Sequence, residues 1–419
     1  MTKDSLRLFF SSLSKESLIA LALLLSLANQ IKFISKIGPS EIIFFFFVVY
    51  AFFTYVFNQK NNLIVKLPSY KSVEPIFHFL IYFFLLSSIG TIFNETQIII
   101  SGEYVYHNIF AFLYLIAIFT TIAFFTEINL EKVSNNFFVM FVCLLIIFTI
   151  ISIMTRNLFD IDLFFRLSDR LTLFTRSPNH LGQFLAPVPF FILYYAARAN
   201  KLTIRLTYLF SAVFIFYIGI LTQSKAVYLA WFISTFTIFM YLLLNKKIIF
   251  NLFLLGVFIF LFLIPELYNK VFITIGKLDS NFINSMYFEN QKPIRSLLYD
   301  IYVRAMLLFN SFPLDDIKTI FGQGFGGTTY IYEITEAREA HNNFFDVLLF
   351  SGYLGLFLYV ILNLKILSLI IKSKNIYLFL AFFSITLVSL FHLSFRQPIF
   401  WFYLAFIINQ ARLSLVKNE

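Results

Sequence analysis

FFVMFVCLLIIFTIISIM, residues 137–154, decides what kind of fold this chain has. The run holds no Asp, Glu, Lys or Arg, and Lys132 and Arg156 bracket it. At about 1.5 Å of rise per residue a helix of this length reaches about 27 Å, close to the ~30 Å of a hydrocarbon core. Comparable runs recur along the whole chain. Apolar residues make up 60% of its 419 residues, charged residues only 13%, and the mean hydropathy is +0.83. A soluble fold cannot hide that much apolar surface, and an open sheet cannot satisfy its backbone in lipid. The expected fold class is all-α: a polytopic transmembrane helical bundle.

Composition narrows the function classes. The lone cysteine, Cys143, lies inside the opening run and cannot form an internal disulfide. The net charge of +10 is modest for a membrane protein and does not call for nucleic acid. The 61 phenylalanines are expected mainly as lipid-facing filler. The first apolar run, from about Leu18, is not followed by a small-residue cleavage site, which argues against a cleavable signal peptide.

About twelve spans are expected: 17–34, 42–57, 76–93, 109–125, 137–154, 181–197, 203–221, 226–244, 248–267, 344–369, 377–391 and 398–413. The chain then divides into N-terminal transmembrane helices (1–175), central transmembrane helices (176–267), one large, partly helical loop (268–340) and C-terminal transmembrane helices (341–419). With the N-terminus placed in the cytoplasm, the inner segments carry Lys60, Lys66 and Lys71, then Arg198, Lys201 and Arg205, then Lys365, Lys372 and Lys374. They hold about twice as many Lys and Arg as the outer short loops, and the outer loop 95–106 holds none. Both termini are therefore expected in the cytoplasm and the large loop in the periplasm.

The polar residues with chemical potential are Arg176, Asn179, Lys225, Arg295, Arg304, His341, Asn342 and Arg396. All fall at span ends or in loops on one side. His341, in Glu339-Ala340-His341-Asn342-Asn343, sits where the large loop meets a span, and an imidazole with a pKa of about 6.5 can accept a proton near neutrality. The plainer reading is a capping or interfacial histidine. Lys225, in Thr222-Gln223-Ser224-Lys225-Ala226, either binds an anion or snorkels to the interface. Arg295 and Arg304 lie in an amphipathic stretch suited to the outer leaflet. Phe321-Gly322-Gln323-Gly324-Phe325-Gly326-Gly327 lacks the Lys-Ser/Thr of a nucleotide loop and reads as a flexible turn. Asp160 and Asp162 could hold a divalent metal, although salt bridges to the nearby Arg166 and Arg170 are the simpler expectation. A zinc site is not expected.

Three of these elements, in this order, resemble the O-antigen ligase and O-antigen polymerase superfamily of bacterial polytopic glycosyltransferases. Leu221-Thr222-Gln223-Ser224-Lys225-Ala226 resembles its Ser-Arg motif. Arg295-Ser296-Leu297-Leu298-Tyr299-Asp300 is similar to the arginine-led helix of its large loop. His341-Asn342, with Gly352 and Gly355, resembles its His-Asn motif and the Gly-x-x-Gly that follows. The likeness covers roughly residues 176–355. Position 225 is Lys where the family usually has Arg, so the charge is kept and the bidentate fork is lost.

The resemblance implies a glycosyltransferase whose donor is a glycan on undecaprenyl diphosphate. It implies His341 as general base. Lys225 and Arg295 would stabilise the leaving diphosphate, with Arg304, Arg396, Arg176, Asn179 and Asn342 in support. No cofactor or metal is implied. The expected partners are the lipid-linked oligosaccharide substrate, the bilayer, and possible accessory proteins in the form of a chain-length regulator and a flippase; nucleic acid is not expected. Polymerase is the first reading, ligase onto lipid A–core the second, and a precursor transporter or flippase the third. A transporter would carry ionisable positions near the bilayer midplane, and these spans are nearly free of charge.

Overall fold

In the computed structural model the described residues are 14–27, 38–58, 70–93, 95–159, 164–166, 170–173, 175, 177–244, 317–326, 342–392 and 394–418. Nearly all of them are helical. The helices are α1 (Lys15–Leu25), α2 (Pro39–Asn58), α3 (Tyr70–Phe93), α4 (Glu95–Thr120, continued by a π turn, Thr121–Phe125) and α5 (Leu130–Phe159). After a short hairpin come α6 (Pro178–Leu185), α7 (Val188–Arg198), α8 (Leu202–Thr222) and α9 (Lys225–Leu244). The short α10 (Ile317–Phe321) precedes a 3₁₀ turn, Gly324–Gly326. Then follow α11 (Asn343–Ser373), α12 (Ile376–Ser389) and α13 (Pro398–Asn418). The expected span 248–267 lies outside the described residues.

Among the described residues six helical segments are long and apolar enough to cross a membrane: Tyr70–Phe93, Val105–Phe125, Leu130–Phe159, Leu202–Thr222, Asn343–Ser373 and Pro398–Val416. Helices α2 and α9 match or exceed the spans expected for them, at 20 residues each, whereas α1, the 181–197 stretch and α12 fall short. The stretch 181–197 is two helices, because Pro187 lacks an N–H and its ring crowds the preceding turn. The carbonyls near this break are taken up by neighbouring helices. Trp231 Nε1 donates to Ala186 O at 2.8 Å, and the Tyr403 hydroxyl donates to Phe184 O at 2.9 Å. In lipid no water would do this, so the break depends on those two side chains. At the N-terminus, α1 starts on Ser14, whose hydroxyl accepts from Ser17 N. It stops at Leu25, short of the expected 34.

Helix α13 is the axis of the bundle. Of its apolar window 67% is buried, against 28–44% for the other five. It packs on α3, α5, α11 and α12, with Trp401 wholly enclosed. Aromatic rings fill much of this centre: Phe83 lies 4.7 Å from Phe112, and Phe138 lies 4.8 Å from Phe191. The phenylalanines are therefore not only lipid-facing. Phe45, Phe110 and Phe210 are exposed, but Phe44, Phe83, Phe112, Phe119, Phe137, Phe141, Phe190 and Phe191 are among the largest fully buried side chains. Offset and edge-on ring contacts add to simple burial.

A feature not expected from the sequence is a two-residue hairpin, β1 (Phe165–Arg166) against β2 (Arg170–Leu171), antiparallel with Phe165 opposite Leu171. It rests on α8. The helix directions bring the hairpin, the starts of α6, α9, α11 and α13, and the end of α8 to one end of the bundle. Arg170 joins the hairpin, α6 and the α8–α9 turn, Asn343 joins the start of α11 to the loop before α13, and the contact of Tyr403 with Phe184 links the two sets.

Candidate functional site

The polar residues at that end form two groups. The first is built around Arg170 on β2. Its Nε donates to Thr222 O at 3.0 Å, and its Nη2 donates to Asn179 Oδ1 at 2.7 Å and to Gln223 O at 3.3 Å. One guanidinium thus joins the hairpin, the start of α6 and the α8–α9 turn. Burial pulls its pKa down from the usual value, and the group remains a cation at any physiological pH.

The turn it grips is tight. Gln223 takes a left-handed conformation with φ 51°, Thr222 Oγ1 donates to Gly219 O at 2.6 Å, and Ser224 N donates back to Thr222 Oγ1 at 3.3 Å. Lys225 opens α9 directly after this turn and is half-buried. Gly182 lets α6 approach: a Cβ there would lie 2.8 Å from both Ser224 Cβ and Val227 Cγ2. Among the described residues, two buried polar atoms of the turn and of α6, Ser224 Oγ and Gln183 Nε2, have no hydrogen-bond partner. A buried polar atom left unpaired costs about 1–3 kcal/mol, and Ser224 directly precedes Lys225 in the turn, which makes the turn a candidate site.

The second group surrounds the start of α11. Asn342 is its N-cap: its Oδ1 accepts from Phe344 N at 2.9 Å and Phe345 N at 3.2 Å, while its Nδ2 donates to Leu390 O at 2.9 Å. Asn343 locks the α12–α13 loop. Its Nδ2 donates to Ser394 Oγ at 2.7 Å, and its Oδ1 accepts from Ser394 N at 2.7 Å. In the same loop Arg396 donates to Asn108 Oδ1 at 2.7 Å. Asn108 in turn donates to Phe325 O at 2.7 Å, and Phe325 N donates to Thr91 Oγ1 at 2.9 Å.

This chain runs through the glycine-rich segment, which is packed rather than flexible. Residues 322–326 are all buried. Gly322 and Gly324 have φ of +79° and +77°, and a Cβ at Gly352 (φ +66°) would lie 2.2 Å from Ile320 O. The kink at Gly352 interrupts the α11 ladder, and Leu349 O accepts from Gln323 N at 2.7 Å instead. Gly90 of α3 lies against the other side, with backbone atoms of residues 321–324 within 2.9 Å of where a Cβ would stand.

Of the expected site residues, Asn179, Lys225, Asn342 and Arg396 therefore share one end of the bundle. Arg176, Arg295, Arg304 and His341 lie outside the described residues, as do Asp160 and Asp162. Arg170, named in the sequence only as a salt-bridge partner for those aspartates, donates to two carbonyls and Asn179 among the described residues. The amide of Asn342 is engaged at both ends by the fold, and that of Asn179 orients Arg170. Asn108, Asn343 and Ser394 carry no motif, and the one available hint was the doubled asparagine 342–343. No protein-family model matches this sequence, and no curated protein is significantly similar to it.

Proposed function

We propose that this protein is a polymerase of O-antigen or a related surface polysaccharide, joining repeat units carried on undecaprenyl diphosphate at the periplasmic face of the inner membrane. The observation that carries the reading is the gathering of Lys225, Arg170, Arg396 and the capped start of α11 at one end of an apolar bundle. In this reading the chain crosses the bilayer about twelve times, both termini are cytoplasmic, and 268–340 is a periplasmic loop.

The proposed reaction is a displacement. A sugar hydroxyl of the acceptor attacks the anomeric carbon of the donor glycan, and the bond from that carbon to the diphosphate oxygen breaks. The hydroxyl proton passes to His341, which directly precedes the fixed Asn342 in the chain. The departing diphosphate gains negative charge, and Lys225 and Arg295 stabilise it, with Arg304, Arg396 and Arg176 contributing. Asn342 acts by setting where His341 emerges, and Asn179 by holding Arg170. The activated diphosphate bond supplies the driving force, so the scheme uses no nucleotide.

The test is transfer by purified protein reconstituted with a lipid-diphosphate-linked repeat unit. His341→Ala, at matched expression and unchanged thermal stability, is expected to abolish polymer while donor binding persists. Near-parental polymer from that variant would remove His341 from the mechanism. Deleting the gene is expected to leave lipopolysaccharide capped by a single repeat unit. Loss of every capped species, with polymer retained on the carrier, would identify a ligase instead.

A further inference from the structure

At the opposite end of the bundle, where α3 begins and α11 and α13 end, lies a cavity of about 380 Å³ lined by Glu74, His78, Lys365, Ser368 and Arg412. We infer that it is a binding site for the phosphate headgroup of an anionic phospholipid, in the leaflet on the side where α13 ends. Three helices build it. Glu74 and His78 share one face of α3, Lys365 and Ser368 one face of α11, and Arg412 comes from α13. Ser72 Oγ donates to Asn409 Oδ1 at 3.1 Å and ties α3 to α13 beside it.

Charge selects the ligand. Lys365 and Arg412 against Glu74 leave one net positive charge, which one phosphodiester neutralises. Glu74 is hydrogen-bonded by the Tyr70 hydroxyl and acts electrostatically on Arg412, which holds the acid to its own helix end. The depth also fits. At about 1.5 Å per residue, Glu74 lies some 6 Å from the start of α3 and Arg412 some 9 Å from the end of α13, roughly headgroup level.

A lipid is favoured over a soluble phosphate by what adjoins the cavity. Beyond His78 on the same α3 face come Tyr82 and Leu85, four and seven residues on, with exposures of 54% and 52%. Before Ser368 on the same α11 face come Leu364 and Phe357, exposed by 57% and 61%. A phosphate held by Lys365 and Arg412 would have these apolar rows beside it for its acyl chains, and a basic pocket between helices that opens on apolar surface is a recurring headgroup site. The site is at the far end from the polar groups assigned to glycan transfer, so it stands or falls independently of that assignment.

The experiment is native mass spectrometry of the full chain released from detergent, offered phosphatidylglycerol, phosphatidylcholine or millimolar inorganic phosphate. Phosphatidylglycerol adducts are expected to dominate and to resist added phosphate. The double variant Lys365→Ala/Arg412→Ala should lose them about tenfold, the weight of a charge-assisted contact. Glu74→Gln keeps an oxygen for Tyr70 and removes the competing charge, so it should retain more lipid than the parent. That gain guards against a trivial loss through misfolding. Equal retention of phosphatidylcholine, unchanged adducts in the double variant, displacement by inorganic phosphate, or reduced retention in Glu74→Gln would each overturn the inference.

Discussion

At the scale of single residues, two side chains carry more than their types suggest. Asn342 accepts two helix N–H groups and donates to Leu390 O, so it couples α11 to the end of α12. Asn342→Ala removes a cap worth about 1 kcal/mol and strands the Leu390 carbonyl. Asn342→Ser keeps the cap and loses only the second contact. Thermal unfolding in detergent should rank parent above Ser above Ala, and transfer activity should follow the same order. An Ala variant with parental stability but no activity would make Asn342 a substrate contact rather than a cap. Arg170 has a comparable task, since its fork reaches three oxygens that a lysine cannot reach together. Arg170→Lys is expected to destabilise by about 1–3 kcal/mol, read as a lowered melting temperature. An unchanged melting temperature would show that the hairpin needs no such clamp. Neither role was legible in the sequence. Asn342 was visible as a motif residue because it follows a histidine at a span mouth, but its partner Leu390 is 48 residues away and apolar. Arg170 sits near two aspartates in the chain, and nothing local says that it also reaches the carbonyls of Thr222 and Gln223.

At the scale of elements, apolar runs were readable because length and the absence of charge suffice to mark a helix in lipid. The places where helices break were less so. Pro187 is plain in the sequence, yet a proline inside an apolar run either kinks a span or divides it, and the outcome depends on Trp231 and Tyr403 from other helices. The glycine-rich stretch misled in the opposite sense. Its glycines serve close approach and left-handed backbone, and the turn they form is wedged between Gly90 of α3 and Gly352 of α11. This gives a graded prediction. Gly352→Ala forces an L side chain into φ +66° and into contact with Ile320 O, so it should cost about 1–3 kcal/mol or more. Gly90→Ala meets backbone at 2.7–2.9 Å without the conformational penalty and should cost less. Melting temperatures in that order, each below the parent, are expected. A parental value for Gly352→Ala would mean that the kink and the packed turn do not depend on each other.

At the scale of the whole molecule, the bundle has two chemically different ends. One collects Arg170, Lys225, Asn342 and Arg396; the other collects Lys201, Lys365, Lys372 and Arg412 with the start of α1 and the end of α13. Lys and Arg are retained on the cytoplasmic side of short loops, so the second end, with its denser cations, is the one expected inside. The two ends can be told apart by chemistry. In a Cys143→Ser background, Gln223→Cys and Gln397→Cys report on the first end, and Lys201→Cys and Lys372→Cys on the second. Ser280→Cys reports on the large loop. A membrane-impermeant maleimide should label the first pair and the loop in intact spheroplasts, and the second pair only after lysis. The opposite pattern would put Lys225 and Arg396 in the cytoplasm, where no periplasmic polymerisation could use them. A mixed pattern within either pair would break the two-ended bundle itself, because the contact of Tyr403 with Phe184 joins α6 to the first half of α13 at that end.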